Sequence, residues 1–265
     1  MKLGSLFSGY CDGFGLAAQW ADIKVAWQVE INRKAHLYLI KNFNETEKFY
    51  DIKEVGKHNL SPVDIIVGGD PCQPHSNAGN RKGIKDDRYL WPEMLRVCKE
   101  LRPTWIINEN VIGSISNMVL DQKSTDLENE GYTTQPFIIP AVSVDAPHRR
   151  DRVWLVAYND QNRQYYAEQI SEEGCDIDKI DHAIFESQVI PHAYQTDSEK
   201  QRIRISNEKK YATTGLHRRW EVEPEVGRVV DGFPNRVAQL EGLGDSIVPQ
   251  IPFIILSFIK EIQTQ

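Results

Sequence analysis

The residues with the clearest chemical potential lie in the run Gly68-Gly69-Asp70-Pro71-Cys72-Gln73-Pro74, directly after the apolar stretch Val63–Val67. Here a thiol sits on a loop shaped by glycine and proline at the C-terminal end of a buried strand, the edge where ligands gather in open α/β sheets. Ile106-Ile107-Asn108-Glu109-Asn110-Val111 repeats the arrangement with a carboxylate. A strand-end thiol and a strand-end acid are a nucleophile and a proton donor that could face one substrate. Asn108 and Asn110 could position either the Glu109 carboxylate or the loop itself.

A third feature precedes both. Leu6-Phe7-Ser8-Gly9-Tyr10-Cys11-Asp12-Gly13-Phe14-Gly15 follows the first apolar run and opens into a helix. Its glycines permit a tight turn and a close ligand, although the spacing is not the dinucleotide fingerprint. Glu30 ends the second strand, where an acid can accept hydrogen bonds from ribose hydroxyls. Asp51-Ile52 ends the third, where Asp can take an adenine amino group and Ile can cover the ring. Singly, each acid reads as a surface carboxylate. Together, in successive strand-end positions, they favour an adenosine-bearing cofactor.

The elements that must carry these groups alternate up to residue 158. Leu3–Phe7, Val25–Glu30, Phe49–Ile52, Val63–Val67, Trp105–Asn108, Pro136–Ile139 and Val153–Ala157 read as strands. Leu16–Trp20, Arg33–Asn42, Trp91–Leu101 and Thr125–Glu130 read as helices. Such alternation implies an α/β fold, a mainly parallel sheet with helices on both faces. Residues 1–158 form the expected core, 159–220 a short insertion, and 221–265 a hinge and return ending in the helix-like Ile247–Ile259. From Asp160 to Glu199 the insertion carries ten acidic residues against two basic ones; from Lys200 to Arg219 it carries seven basic against one acidic. The acidic half reads as a solvated loop, the basic half as a nucleic-acid-facing patch.

Bulk properties narrow the class. A net charge of −7 excludes a chain coated in positive charge, so any nucleic-acid contact must be local. The longest apolar run, Ile251–Ile259, is too short to span a bilayer. Four cysteines without paired or zinc-ligand spacing fit reduced thiols, and no metal is expected. The N-terminus lacks a secretory pattern, so a cytoplasmic location is expected.

The order of motifs resembles that of the DNA cytosine-5 methyltransferases, which use S-adenosylmethionine. It comprises the Phe7–Gly15 turn, Glu30, Asp51, Pro71-Cys72-Gln73, Asp87-Arg88 with Leu90-Trp91-Pro92-Glu93, Glu109-Asn110-Val111, His148-Arg149-Arg150-Asp151-Arg152 and Gly244-Asp245-Ser246-Ile247-Val248-Pro249-Gln250. The resemblance covers about residues 3–158 and 220–260. It implies a Rossmann-like class I methyltransferase fold, with Cys72, Glu109, Arg150 and Arg152 as catalytic groups. Phe7, Ser8, Gly9, Gly13, Phe14, Gly15, Glu30, Ile31, Asp51, Ile52, Asp70, Pro71, Leu90, Asp245 and Ser246 are the implied cofactor contacts.

It further implies that residues 159–220 are a target-recognition region for a short site. Gln73, Ser76, Arg202, Arg204, Lys209, Lys210, Arg218 and Arg219 are the implied DNA contacts. The expected partner is double-stranded DNA bound by a monomer, in a bacterial, archaeal or phage restriction–modification setting with a possible cognate endonuclease and association with the nucleoid. His148, His75 and Asp245 depart from the family's more usual Gln, Phe and Asn. The rival readings are a transfer RNA cytosine-5 methyltransferase, whose relatives carry Thr where His75 stands, and a non-catalytic DNA-binding relative.

Overall fold

A computed structural model describes residues 1–71, 89–116, 118–146, 148–159 and 246–264. Cys72, Gln73, His75, Ser76, Asp87, Arg88, Asp245 and the whole 160–245 stretch, with its acidic and basic halves, lie outside the described residues.

The described chain runs β1 (Lys2–Leu6), α1 (Gly13–Trp20), β2 (Lys24–Val29), α2 (Arg33–Asn42), β3 (Glu47–Phe49), β4 (Ile65–Gly68), α3 (Trp91–Leu101), β5 (Trp105–Val111), α4 (Gly113–Ser116), α5 (Val119–Asn129), β6 (Tyr132–Pro140), β7 (Asp151–Asn159) and α6 (Gln250–Thr264). One sheet takes the seven strands in the order β3-β2-β1-β4-β5-β7-β6. The first five are mutually parallel, while β7 lies antiparallel to both neighbours. The chain winds outward from β1 in one direction and resumes at β4 in the other. The loops after β1 and β4 therefore diverge and open a crevice at the C-terminal edge.

Alternation along the strands builds two cores. Leu3, Val25, Ile65, Val67 and Ile107 point to one face, where Ala17 and Ala18 of α1 and Ile255 and Leu256 of α6 cover them. Leu6, Trp27, Val29, Ile66 and Ile106 point to the other, against Met94 and Val97 of α3 and Leu127 of α5. Each fully buried aliphatic side chain contributes about 1.5–3 kcal/mol of transfer free energy. α6 is also tied to the end of α1, where Lys260 Nζ donates to Ala21 O and Asp22 O at 3.0 and 3.2 Å. A cation at those terminal carbonyls suits the helix dipole.

Several expected boundaries shift, among them the helix Leu16–Trp20, which begins at Gly13, and the helix Ile247–Ile259, which runs from Gln250 to Thr264. The expected strand Phe49–Ile52 ends at Phe49, and Ile52–Glu54 winds into a 3₁₀ turn because the Asp51 carboxylate caps Lys53 N at 2.9 Å. The expected helix Thr125–Glu130 begins earlier, at Val119. The expected strand Pro136–Ile139 is the end of a longer strand that pairs along all of β7.

Candidate active site

The site begins with a loop that the sequence forces to coil. Phe7 (φ 54°), Gly9 (φ 63°) and Asp12 (φ 36°) all adopt left-handed backbone, a conformation non-glycine residues take only when surroundings demand it. The demand comes from Asp12. It is buried beneath the loop, where its carboxylate accepts from Ser5 Oγ and Gly15 N at 2.9 Å each and from Gln28 Nε2. It thereby caps α1 and ties β1 to β2. Burial raises its pKa, opposed by the hydrogen bonds from Gln28, Gly15 and Ser5. Gly15 lies behind the cavity lining, where a Cβ would stand 2.3 Å from the Asp12 carboxylate, and its N–H serves this cap.

Glu30 closes the next wall. One carboxylate oxygen accepts from Gly9 N and the other from Asn32 N, both at 2.7 Å. The side chain thus bridges the coiled loop and the capping residue of α2, while each oxygen retains a lone pair for a further donor. The buried His36 shares Nε2 between Glu30 O at 2.7 Å and Phe49 O at 3.1 Å, joining the ends of β2 and β3. Its ring stacks on Tyr50 at 3.8 Å with the planes 7° apart.

These groups surround one cavity of about 490 Å³. From the β1–α1 loop come Phe7, Ser8, Gly9, Gly13 and Phe14; from the ends of β2 and β3 come Glu30, Ile31, Tyr50, Asp51 and Ile52. Asp70, Pro71, Leu90 and Ser246 complete that region, and Glu109, Arg150 and Arg152 line the far end. The structure therefore gathers all the described sequence-derived site residues except Gly15 around a single space. Tyr50, His36 and the Asp12 cap were missed; only the placement of Asp12 within the glycine run hinted at any of them.

At the far end, Glu109 is 9% exposed on the buried strand β5. Gly69 permits its approach, since a Cβ there would lie 3.1 Å from Glu109 Oε2. Arg152 Nε stands 2.8 Å from Oε1, an ion pair by distance without an aligned hydrogen bond. Burial pushes the Glu109 carboxyl up to about 7, outweighing the lowering by Arg152 and Arg150. Arg150, in left-handed backbone at φ 35°, donates from an Nη to Ser246 O at 2.6 Å. This contact joins the arginine motif to the C-terminal segment.

The structure gives Asp70 a second character. Its carboxylate lines the cavity yet is held from behind by Lys123, by Asn108 Nδ2 at 2.9 Å and by Asn110 Nδ2 at 3.3 Å. The two asparagines thus hold the loop edge rather than Glu109 itself. Of the other cysteines, Cys11 is exposed and Cys98 is buried with its pKa raised by that burial.

Comparison with known proteins gives the arrangement its relatives. Type II methyltransferase M.FnuDI of Fusobacterium nucleatum is 31% identical over 60% of this chain and 47% of its own. Type II methyltransferase M.HhaI of Haemophilus parahaemolyticus is 27% identical over 61% and 50%, and the orphan methyltransferase M.SPRI of Bacillus phage SPR 28% identical over 59% and 37%. The chain spans half or less of the length of each of these relatives. Among solved structures, a mutant of Spodoptera frugiperda DNMT2 matches with a TM-score of 0.51 at 24% identity over 60% of this chain and 50% of that one. S. pombe Dnmt2 methyltransferase matches with a TM-score of 0.50 at 23% identity over 60% and 51%, so the fold is shared. The family model for C-5 cytosine-specific DNA methylase matches residues 1–231, and the chain belongs to that family.

Proposed function

We propose that this chain transfers a methyl group from S-adenosylmethionine to C5 of a cytosine flipped out of duplex DNA, through a covalent adduct between Cys72 and C6. The observation that carries the reading is Glu109. An acid whose carboxyl is pushed to about 7 stands at the far end of a nucleoside-sized cavity, beside two arginines and against Gly69, three residues before Cys72. A family match over residues 1–231 supports the same reading.

The chain's residues fit the cofactor. Glu30 has acceptor capacity for ribose hydroxyls while its two backbone amides fix it in place. Asp51 and Ile52 sit where an adenine edge and face would be met. The stacked Tyr50 adds an aromatic wall. A cavity of about 490 Å³ is within the usual range for such ligands. When bound, the cofactor supplies an electrophilic methyl group.

The target carbon needs activation because cytosine C5 is a weak nucleophile. The Cys72 thiolate adds to C6, and Glu109 donates its proton to N3, so that electron density collects at C5. A carboxyl near 7 is about half protonated at neutral pH, so donor and anion interconvert within reach of physiological conditions. Arg150 and Arg152 supply the positive surroundings that favour a thiolate and an electron-rich ring. After methyl transfer, water takes the C5 proton, Cys72 leaves as the thiolate and the N3 proton returns to Glu109, which restores the neutral aromatic ring and both side chains. DNA contacts are assigned to Gln73, Ser76, Arg202, Arg204, Lys209, Lys210, Arg218 and Arg219, the basic residues meeting phosphates and one or two of them a guanine. We place the protein in the cytoplasm as a monomer.

The test is transfer of labelled methyl from S-adenosylmethionine to duplex DNA, single strands and transfer RNA in parallel. Duplex DNA is expected to be the substrate, and a 5-fluorocytosine duplex is expected to give a denaturation-resistant adduct that Cys72→Ala cannot form. Cys72→Ala is expected to abolish transfer and leave cofactor binding within a few-fold. Substantial transfer by Cys72→Ala refutes the mechanism; transfer confined to transfer RNA refutes the substrate.

A further inference from the structure

Behind the cavity lies a buried charge pair that the proposed reaction does not use. Lys123 of α5 is 1% exposed, and its ammonium meets the Asp70 carboxylate, itself 2% exposed. Lys123 Nζ also donates to Asn108 Oδ1 at 2.9 Å and lies 5.0 Å from the centre of the Trp91 ring. Trp91 is in turn anchored by Nε1 to Asp126 Oδ2 at 2.8 Å. Asn108 Nδ2 donates to Gly68 O at 3.0 Å and Asp70 Oδ1 at 2.9 Å, so one amide joins β5 to the end of β4. Asn110 Nδ2 reaches Asp70 O and Oδ1 at 3.4 and 3.3 Å.

The placement matters because Asn108 and Asn110 flank Glu109, and Gly69, which faces the Glu109 carboxylate, immediately precedes Asp70. Two carboxylates at one strand edge, both shielded from water, oppose each other's ionisation unless a cation neutralises one. We propose that Lys123 is a positioning residue of the transfer site: by holding the Asp70 carboxylate against Asn108 and Asn110, it fixes the β4 edge to β5 and screens Glu109 from a second negative charge. The groups acting on Glu109 are Arg152 and Arg150 from β7 and its approach, Asp70 from the end of β4 and Lys123 from α5. Asp70 opposes the ionisation of Glu109, and Lys123 favours it.

The proposal rests on Glu109 as the acid of the proposed reaction, but its test does not depend on turnover. The Glu109 carboxyl band, identified by its loss in Glu109→Gln, is titrated by infrared spectroscopy in wild type, Lys123→Met, Asp70→Asn and the double variant. Lys123→Met is expected to move the Glu109 midpoint to higher pH and Asp70→Asn to lower pH, each by about half a pH unit or more. The double variant removes both charges and is expected to return near wild type. In methyl transfer, kcat of Lys123→Met is expected to fall about tenfold at neutral pH through loss of alignment. Its KM for the cofactor is expected to stay within about threefold, and the alkaline limb of the kcat profile to follow the infrared midpoint.

Coincident midpoints in wild type and Asp70→Asn overturn the proposal, as do single-variant shifts in the same direction. If Lys123→Met does not fold, Asp70→Asn and the double variant still decide it. If wild type methylates no nucleic acid, the proposed function fails while the infrared titration still reads the charge pair.

Discussion

Replacing Glu109 by Gln should make the protein less sensitive to alkali, and the size of the effect follows from the burial of one carboxyl. In the fold, Glu109 retains its proton up to about pH 7, whereas the ordinary value is 4.5. Between these values the folded chain holds a proton that the unfolded chain has lost. The protonated carboxyl's contribution is therefore fully present below pH 4.5 and lost as pH rises through 7. At about 1.4 kcal/mol per pH unit, the whole gap corresponds to about 3 kcal/mol. Most of it, about 2–3 kcal/mol, falls between pH 5 and pH 8. Gln occupies the same volume and titrates nowhere in that range. Urea or thermal unfolding of wild type and Glu109→Gln at pH 5 and pH 8 reads the effect directly. Wild type should lose about 2–3 kcal/mol relative to the variant, or roughly 5 °C in Tm for a chain of this length. Any constant cost of leaving Arg152 without its partner cancels between the two pH values. A stability difference that is the same at both pH values refutes the argument, because it places the Glu109 carboxyl in the ordinary range.

Glu30→Gln keeps an acceptor but removes the charge and one accepting oxygen, so S-adenosylmethionine affinity measured by calorimetry should fall about tenfold, roughly 1.4 kcal/mol, with DNA affinity unchanged. Asp12→Ala strips the cap of α1 and leaves Ser5 and Gln28 without their acceptor, so unfolding should cost about 2 kcal/mol less; an unchanged Tm would show that the loop is held another way. Neutralising Arg202, Arg204, Lys209 and Lys210 together should weaken DNA binding and flatten its salt dependence by up to about 3–4 units of log–log slope, at roughly 0.9 per lost phosphate contact. An unchanged slope would place the DNA contacts elsewhere.

The sequence was most legible where local chemistry sets the element. Arg33–Asn42 and Trp91–Leu101 keep their expected boundaries. Asn32 caps the first through Lys34 N and Ala35 N, and Pro92 starts the second where a missing N–H costs nothing. Legibility failed where partners come from far along the chain. β7 reads as any apolar strand, and its antiparallel direction follows from pairing with β5 and β6, which no local pattern encodes. The expected helix Thr125–Glu130 falls short of α5 because Asp121-Gln122-Lys123-Ser124 carries no apolar residue to extend its pattern. Lys123 is nevertheless among the most buried side chains, since its ammonium finds an acid 53 residues away. The resemblance implies Asp70 as a cofactor contact, but nothing local signals the lysine and two amides behind it.

The same distinction assigns roles to the acids at this sheet edge. Asp12, Glu30, Asp51, Asp70 and Glu109 all line one cavity, and residue type alone cannot separate them. Their partners do. Glu30 accepts two backbone amides and Asp51 one, which fixes anions that can receive hydroxyl or amino groups. Asp12 and Asp70 are buried but supplied with donors from protein side chains, and Asp70 also has a cation. They are bound into the frame. Glu109 is buried with a cation at one oxygen but no aligned hydrogen bond to it, so desolvation outweighs the arginines. Burial raises the carboxyls of both Asp12 and Glu109, that of Glu109 to about 7. What separates Glu109 from the likewise raised Asp12 is that Asp12 commits its oxygens to Ser5, Gly15 and Gln28, whereas Glu109 keeps an oxygen with no aligned donor, which makes the sparse environment of Glu109 as much a part of the site as the carboxylate itself.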